Sequence, residues 1–405
     1  MRDPLTPNPS AGPPLAAWTD RIERSALEEM LVETARPEVL SLALGLPTAE
    51  LFPREAMGRA VAELIAHDPR ALQYGPPRDD LRRFVVELMR ERGVECRIEQ
   101  VFLTAGAQQG MSLLARLLLE PGASVLLEEQ CYTGFQQVLA PHAARIVPVG
   151  SDPSSGIDLA QLEARLGAAD LPALLYTMSD GSNPTGASLP LAARPRLVEL
   201  ARKHQIPILE DDAYGLLSYD GTRIPALRAF DPDWVIYLGS FSKTLAPALR
   251  TGWVIVPERF TAALGSLKES SDINTATLGQ RAIARFVAEG GFHPHLAKLR
   301  AAYRERRDAL LDALSTHLPE GATWTTPRAG FFVWVALPGE IDTVALLRRA
   351  LREEHVAFVP GGAFAVPGAQ PARSALRLNF SFSPPAVLRE AVSRLARAIA
   401  REGRA

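Results

Sequence analysis

Between residues 101 and 256 short apolar runs alternate with longer amphipathic stretches, and that rhythm leaves the chain few architectures. Runs at 101–104, 124–127, 145–149, 173–178, 206–209, 234–238 and 252–256 have the length and apolar content of strands buried on both faces. The intervening stretches 108–119, 135–140 and 191–204 carry apolar residues at helical spacing. Such a βαβ series predicts an α/β fold, with a mostly parallel sheet sandwiched by helices. Ligands on sheets of this kind sit beyond the carboxyl ends of the strands. The residues that follow each apolar run are therefore where chemistry is expected.

After about residue 290 the pattern changes to a long helix over 293–314, strands at 322–325, 331–335 and 376–380, and helices at 343–354 and 386–401. This reads as a smaller α+β domain. The early residues are expected to pack with it, with 21–32 helical and 39–44 extended. The division expected is a flexible arm over 1–20, a small domain made of 21–54 and 291–405, and a large domain over 55–290. A length of 405 residues agrees, since it exceeds what one core comfortably serves. A formal net charge of −2 gives no electrostatic case for nucleic acid or an anionic membrane. Cys96 and Cys131 are too few for a disulfide framework or a metal cluster, and Cys131 reads as a small buried filler. The Pro-rich start has no apolar core of a secretory signal, and no run of about 18 apolar residues occurs. A cytoplasmic location is the default expectation.

Five segments carry candidate chemistry. Ser240-Phe241-Ser242-Lys243 follows the run at 234–238, with Arg250 seven residues past the lysine. A lysine there can form a Schiff base with pyridoxal phosphate, the hydroxyls and the guanidinium binding its phosphate; a strand-end lysine in a polar loop is the plain alternative. Thr104-Ala105-Gly106-Ala107-Gln108 opens a helix whose first N–H groups can bind phosphate, or it is an ordinary connection. Ser182-Asn183-Pro184-Thr185-Gly186 is a turn by its residue types, in which Asn183 can donate to a phenolate oxygen. Glu210-Asp211-Asp212-Ala213-Tyr214 offers a carboxylate to keep a pyridine nitrogen protonated. No histidine pair at ligand spacing accompanies these acids, so no metal site is expected. Arg377, in the alternating strand Leu376-Arg377-Leu378, can present a fork to a carboxylate or simply face solvent.

Together these segments resemble the fold-type I pyridoxal-phosphate-dependent aminotransferases of class I/II. The resemblance runs from about Arg21 to the last helix and is closest to the branch that contains 2-aminoadipate aminotransferases and the aminotransferase-like domains of certain bacterial regulators. The N-terminal arm is far too short for a DNA-binding domain, so the regulator reading is not favoured. The resemblance implies Lys243 as the Schiff-base lysine and proton shuttle, Asp211 at the pyridine nitrogen, and Tyr132 stacked on the ring. It implies Asn183 and Tyr214 at the phenolic oxygen, and Ala107, Gln108, Ser240, Ser242 and Arg250 at the phosphate. Tyr74 is similar to a tyrosine that reaches the phosphate across a dimer interface, which implies a homodimer with composite sites. Arg377 would take the α-carboxylate of an amino acid or 2-oxo acid, assisted by the backbone of Gly45. Gly361-Gly362-Ala363-Phe364 resembles a substrate-covering loop.

The chain also departs from the family pattern. Ala107 stands where a serine is usual, Ser179-Asp180-Gly181-Ser182 replaces a proline-aromatic pair, and the loop after Tyr74 is short. Glu28 aligns with an arginine that recognises a distal carboxylate, so an acidic substrate side chain is disfavoured; the plain alternative is that Glu28 belongs to an acidic helix face. These departures keep a second chemistry in view: β- or γ-elimination, replacement, cyclisation or oxidation of an amino acid on the same scaffold. A non-catalytic binding module is the third reading, and the intact Lys243, Asp211, Asn183, Arg250 and Arg377 speak against it.

Overall fold

The computed structural model describes residues 15–16, 18–19, 36–167 and 171–402. Glu28 and the helix expected over 21–32 lie outside the described residues, as does most of the arm. A seven-stranded sheet occupies the middle of the chain, in the order Val101–Thr104, Gly252–Ile255, Val235–Ser240, Ile208–Asp212, Leu174–Thr177, Ser124–Glu128, Arg145–Val149. Only Gly252–Ile255 runs antiparallel to its neighbours. The mostly parallel sheet expected from the apolar runs is present.

Side-chain alternation along the strands divides the core in two. Leu126, Leu175, Ile208 and Val235 pack on one face with Leu162, Leu197 and Val198 of the helices Leu159–Leu166 and Ala193–Lys203. Val125, Leu127, Leu174, Leu209, Ile236 and Leu238 pack on the other with Met111 and Leu114 of Gly106–Leu118. Each fully buried aliphatic side chain contributes roughly 1.5–3 kcal/mol. Both faces are thus sealed by apolar burial, and the polar groups collect at the strand ends. Parallel pairing brings the carboxyl ends of Leu174–Thr177, Ile208–Asp212 and Val235–Ser240 to one edge, with Thr177 opposite Glu210 and Asp211 opposite Leu238.

A four-stranded antiparallel sheet follows in the order Thr323–Trp324, Phe332–Ala336, Ala375–Asn379, Val359–Pro360. The helices Phe292–His317 and Pro385–Glu402 pack on each other beside it. Leu40–Ser41 pairs in parallel with Val356–Ala357. The helix expected over 343–354 is α-helical only across Thr343–Arg349; Ala350–Glu354 forms a π-type turn that ends at His355 with φ 51°.

The two sheets meet at a backbone-to-backbone contact. Gly181 has φ 59°, and a Cβ there would lie 2.7 Å from the amide nitrogen of Gly330. Only glycine permits both that turn and that approach. The contact sets the 181–186 turn against the strand Phe332–Ala336. No helix among the described residues is long and apolar enough to cross a membrane.

Candidate active site

A cavity of about 400 Å³ opens at the strand edge, and residues from both sheets line it. Lys243 lies just past the strand Val235–Ser240, and its Nζ donates to the carbonyl of Gly45 at 3.0 Å. Burial pulls the amine down to about 8, helped by the positive charges of Arg377 and Arg250 and opposed by Asp211. Ser240 and Ser242 line the same cavity, with Ser240 Oγ accepting from Ser242 N at 3.1 Å.

Asp211 ends the next strand but one residue, and alternation turns it into the cavity while its neighbours point the other way. Its Oδ2 accepts from Tyr176 Oη at 2.8 Å, and its Oδ1 is buried with no partner. Burial raises the carboxyl to about 7; the Tyr176 hydrogen bond and Lys243 resist the rise and the charge of Asp212 adds to it. Glu210, by contrast, accepts from Ser179 Oγ and from the amides of Leu227 and Arg228, and Asp212 accepts from Arg92, Tyr237 and Gly215 N. Among the described residues no group of three or more His, Cys, Asp or Glu is placed to hold a metal ion.

Tyr132 precedes the helix Thr133–Leu139 and lines the cavity. Its ring lies over Gly134, where a Cβ would meet ring atoms at 2.4 Å, so a side chain at 134 would displace it. Burial raises the hydroxyls of Tyr132 and of Tyr214, another lining residue, above the usual phenol range.

Arg377 is 1% exposed, which removes the solvent-facing alternative. Its guanidinium lies 4.3 Å from the ring centre of Phe332 and 4.8 Å from that of Phe364. Nη1 donates to Asn183 Oδ1 at 2.7 Å and Nη2 to Ala43 O at 2.6 Å, while Nε is buried without a partner. Burial lowers the group to about 10, still far above neutral pH, so it remains a cation.

At another wall the helix Gly106–Leu118 begins with no side-chain cap, so its first amides have no partner within the helix. Ala107, Gln108 and Arg250 line the cavity here, and Arg250 Nη2 donates to Ala105 O at 2.9 Å. Gly106, at φ 75°, makes room for that guanidinium, which a Cβ would approach to 2.6 Å.

Lys243, Asp211, Tyr132, Asn183, Tyr214, Ala107, Gln108, Ser240, Ser242, Arg250, Gly45 and Arg377 therefore surround one cavity. Tyr74 does not join them: it is 73% exposed and lines a second cavity of about 630 Å³. Asp180 also stays out, buried among arginines. Phe332, Phe364 and Tyr176 were not among the expected residues. Phe364 ends the 361–364 loop singled out in the sequence, but only the fold shows it stacked on Arg377. Tyr176 is hidden inside an apolar run, one strand away from the carboxylate it serves.

The donor set fits pyridoxal phosphate. The unpartnered Oδ1 of Asp211 suits a cationic ring N–H, and the uncapped helix start beside Arg250 suits a dianionic phosphate. The aminotransferase class I and II family matches residues 37–395 of the chain. A 2-aminoadipate transaminase of Thermus thermophilus is 38% identical over 94% of each chain. An aromatic-amino-acid aminotransferase of Thermococcus litoralis is 35% identical over 94% of this chain and 93% of its own. Among solved structures, an α-aminoadipate aminotransferase of Thermus thermophilus complexed with N-(5'-phosphopyridoxyl)-L-leucine superposes with a TM-score of 0.89 at 35% identity, covering 96% of this chain and 98% of the other. Agreement with these relatives over nearly the whole chain, around a cavity whose donors suit the cofactor, makes the chain a member of the class I and II aminotransferases and a pyridoxal-phosphate-dependent enzyme of amino-group transfer.

Proposed function

We propose that Lys243 is the covalent anchor and the proton carrier of a homodimeric aminotransferase that exchanges an amino group between an L-amino acid and a 2-oxo acid. The observation that carries this reading is the sharing of one cavity by Lys243, Asp211 and Arg377, each buried enough to be shifted from its ordinary acidity.

When bound, pyridoxal phosphate supplies an aldehyde carbon that joins to an amine nitrogen and a cationic ring that withdraws electrons from the carbon beside it. Asp211 would hold the ring nitrogen protonated through Oδ1, with Tyr176 fixing Oδ2. Asn183 and Tyr214 would bind the phenolic oxygen, and Tyr132 would lie against the ring. Ala107, Gln108, Ser240, Ser242 and Arg250 would take the phosphate. Arg377 would receive the α-carboxylate with its unpartnered Nε edge, its plane already held by Asn183, Ala43 and two phenylalanine faces, with the Gly45 backbone alongside. Lys243 Nζ, lowered to about 8, is partly a free amine near neutral pH. It would remove the proton from the substrate Cα and, as an acid, deliver it to the carbon that the cofactor's aldehyde supplies. Tyr74, exposed on this chain, is assigned to the phosphate of a second copy's site.

The relatives' names guide the choice of donor. A panel that includes 2-aminoadipate and the aromatic amino acids, with 2-oxoglutarate as acceptor, is followed by mass spectrometry. The expected result is the 2-oxo acid of one donor class formed in step with glutamate. Nitrogen kept in a rearranged or cyclised product, or no transfer from any donor, would reject the reading.

A further inference from the structure

Behind the cavity, on the opposite face of the strand that carries Asp211, lies a buried ion cluster that none of the roles above uses. Arg92 stands two residues past the helix Asp79–Arg90. Its Nη2 reaches Asp180 Oδ2 at 2.5 Å and Asp212 Oδ2 at 2.9 Å, and its Nη1 reaches Gly215 O at 3.4 Å. Arg194 forks onto Asp180 at 2.7 and 3.1 Å. Tyr237 Oη donates to Asp212 Oδ2 at 2.8 Å. None of the four charged side chains is more than 5% exposed, and two guanidinium groups balance two carboxylates.

Stability alone does not account for four buried charges. Removing ions from water costs several kcal/mol each, and apolar side chains of the same volume often serve as well or better. The geometry offers another account. Asp180 comes three residues before Asn183, and Asp212 directly follows Asp211 and precedes Tyr214 by two. One nitrogen, Arg92 Nη2, ties together the two segments that carry three of the side chains assigned to the ring.

We propose that Arg92 and Asp180 are positioning residues: their contact sets the spacing between Asn183 and the Asp211–Tyr214 segment and supplies the counter-charge of Asp212 beside the ring-facing carboxylate. This rests on the reading that the pyridoxal phosphate ring occupies the cavity. The electrostatics run the same way. The charge of Asp212 raises the proton affinity of Asp211, and Arg92 is the cation that offsets it. The other titratable groups that act on Asp211 are Tyr176, Tyr132, Tyr214, Cys131 and Lys243, whereas the hydrogen-bond partners of Arg92 are Asp180, Asp212 and Gly215.

The test uses two variants of the full chain. Arg92→Lys keeps the charge, but an ammonium on a flexible stem cannot span both carboxylates and Gly215 as the fork does. Tyr237→Phe removes only the hydroxyl that helps hold Asp212, and serves if Arg92→Lys fails to fold. Three quantities are measured: the pyridoxal phosphate dissociation constant, the pH midpoint of the bound cofactor's absorbance, and the denaturation midpoint of the cofactor-free protein. The expected result is normal binding by wild type, cofactor affinity lowered about tenfold in the variants, and an absorbance midpoint moved by about half a unit or more, which correspond to about 1.4 and about 0.7 kcal/mol. A variant that unfolds more easily yet keeps wild-type affinity and midpoint would overturn the proposal and leave the cofactor reading intact. A wild-type protein that binds no pyridoxal phosphate would overturn both.

Discussion

Three consecutive carboxylates, Glu210, Asp211 and Asp212, end one strand, and its alternation gives them different work. Glu210 and Asp212 are satisfied by amides, hydroxyls and Arg92, whereas Asp211 keeps one oxygen without a partner. That separation follows from strand parity; in the sequence only the family resemblance singled out Asp211 from its two acidic neighbours. The partners were not legible there, because Tyr176 and Arg92 are brought in by pairing across 35 and 120 residues. In the cofactor-free protein the Asp211 carboxyl is raised from 3.8 to about 7, so the folded state retains a proton that the unfolded chain releases. Its contribution to stability is therefore a penalty, absent below pH 3.8 and complete above about pH 7. Relative to wild type, cofactor-free Asp211→Asn is expected to gain stability progressively between pH 4 and pH 7, by on the order of a few kcal/mol. Denaturation midpoints measured across that range check it. The same variant should lose most of its affinity for pyridoxal phosphate.

The seven strands of the large sheet were readable to within a few residues, six of them because burial on both faces makes them apolar runs and the part-buried edge strand Arg145–Val149 because it too is mostly apolar. Helices at the periphery were harder. Arg54–His67 buries only Ala60, and Thr261–Asp272 only Leu264, so neither carries a strong apolar stripe. Asp79–Arg90 does carry one, at Leu81, Phe84, Val85 and Leu88, and its signal was present though not assigned. The 179–182 segment is the clearest divergence between sequence and fold. By position it belongs beside the substrate, yet Asp180 closes on Arg92 and Arg194, and Ser179 on Glu210. With that segment committed to structure, it no longer argues for a second chemistry. Gly181 is its pivot. Gly181→Ala must hold a side chain at φ 59° and push a Cβ against the Gly330 backbone. A loss of about 2 kcal/mol or more is expected, read from chemical denaturation, together with a raised KM as Asn183 and Arg377 shift.

At the scale of the molecule the site is built from both sheets, since Asn183 from one and Arg377 from the other are hydrogen-bonded across their junction. The side chains Leu72, Tyr74 and Ile273 are exposed, the last two bordering the second cavity, and the proposed homodimer would cover them with its second copy. Sedimentation should therefore report twice the chain mass of 43.9 kDa, and a mixture of Lys243→Ala and Tyr74→Ala chains should regain activity by forming one intact site per hybrid dimer. Persistent monomers, or no recovery on mixing, would speak against composite sites. The account as a whole depends on Lys243 as the residue that holds the cofactor. Borohydride reduction of the yellow holoenzyme, followed by peptide mass analysis, reads this directly. The phosphopyridoxyl group is expected on the peptide containing Lys243 and nowhere else, and lost in Lys243→Ala. A tag on Lys268, on Lys298 or on no lysine at all would contradict the account.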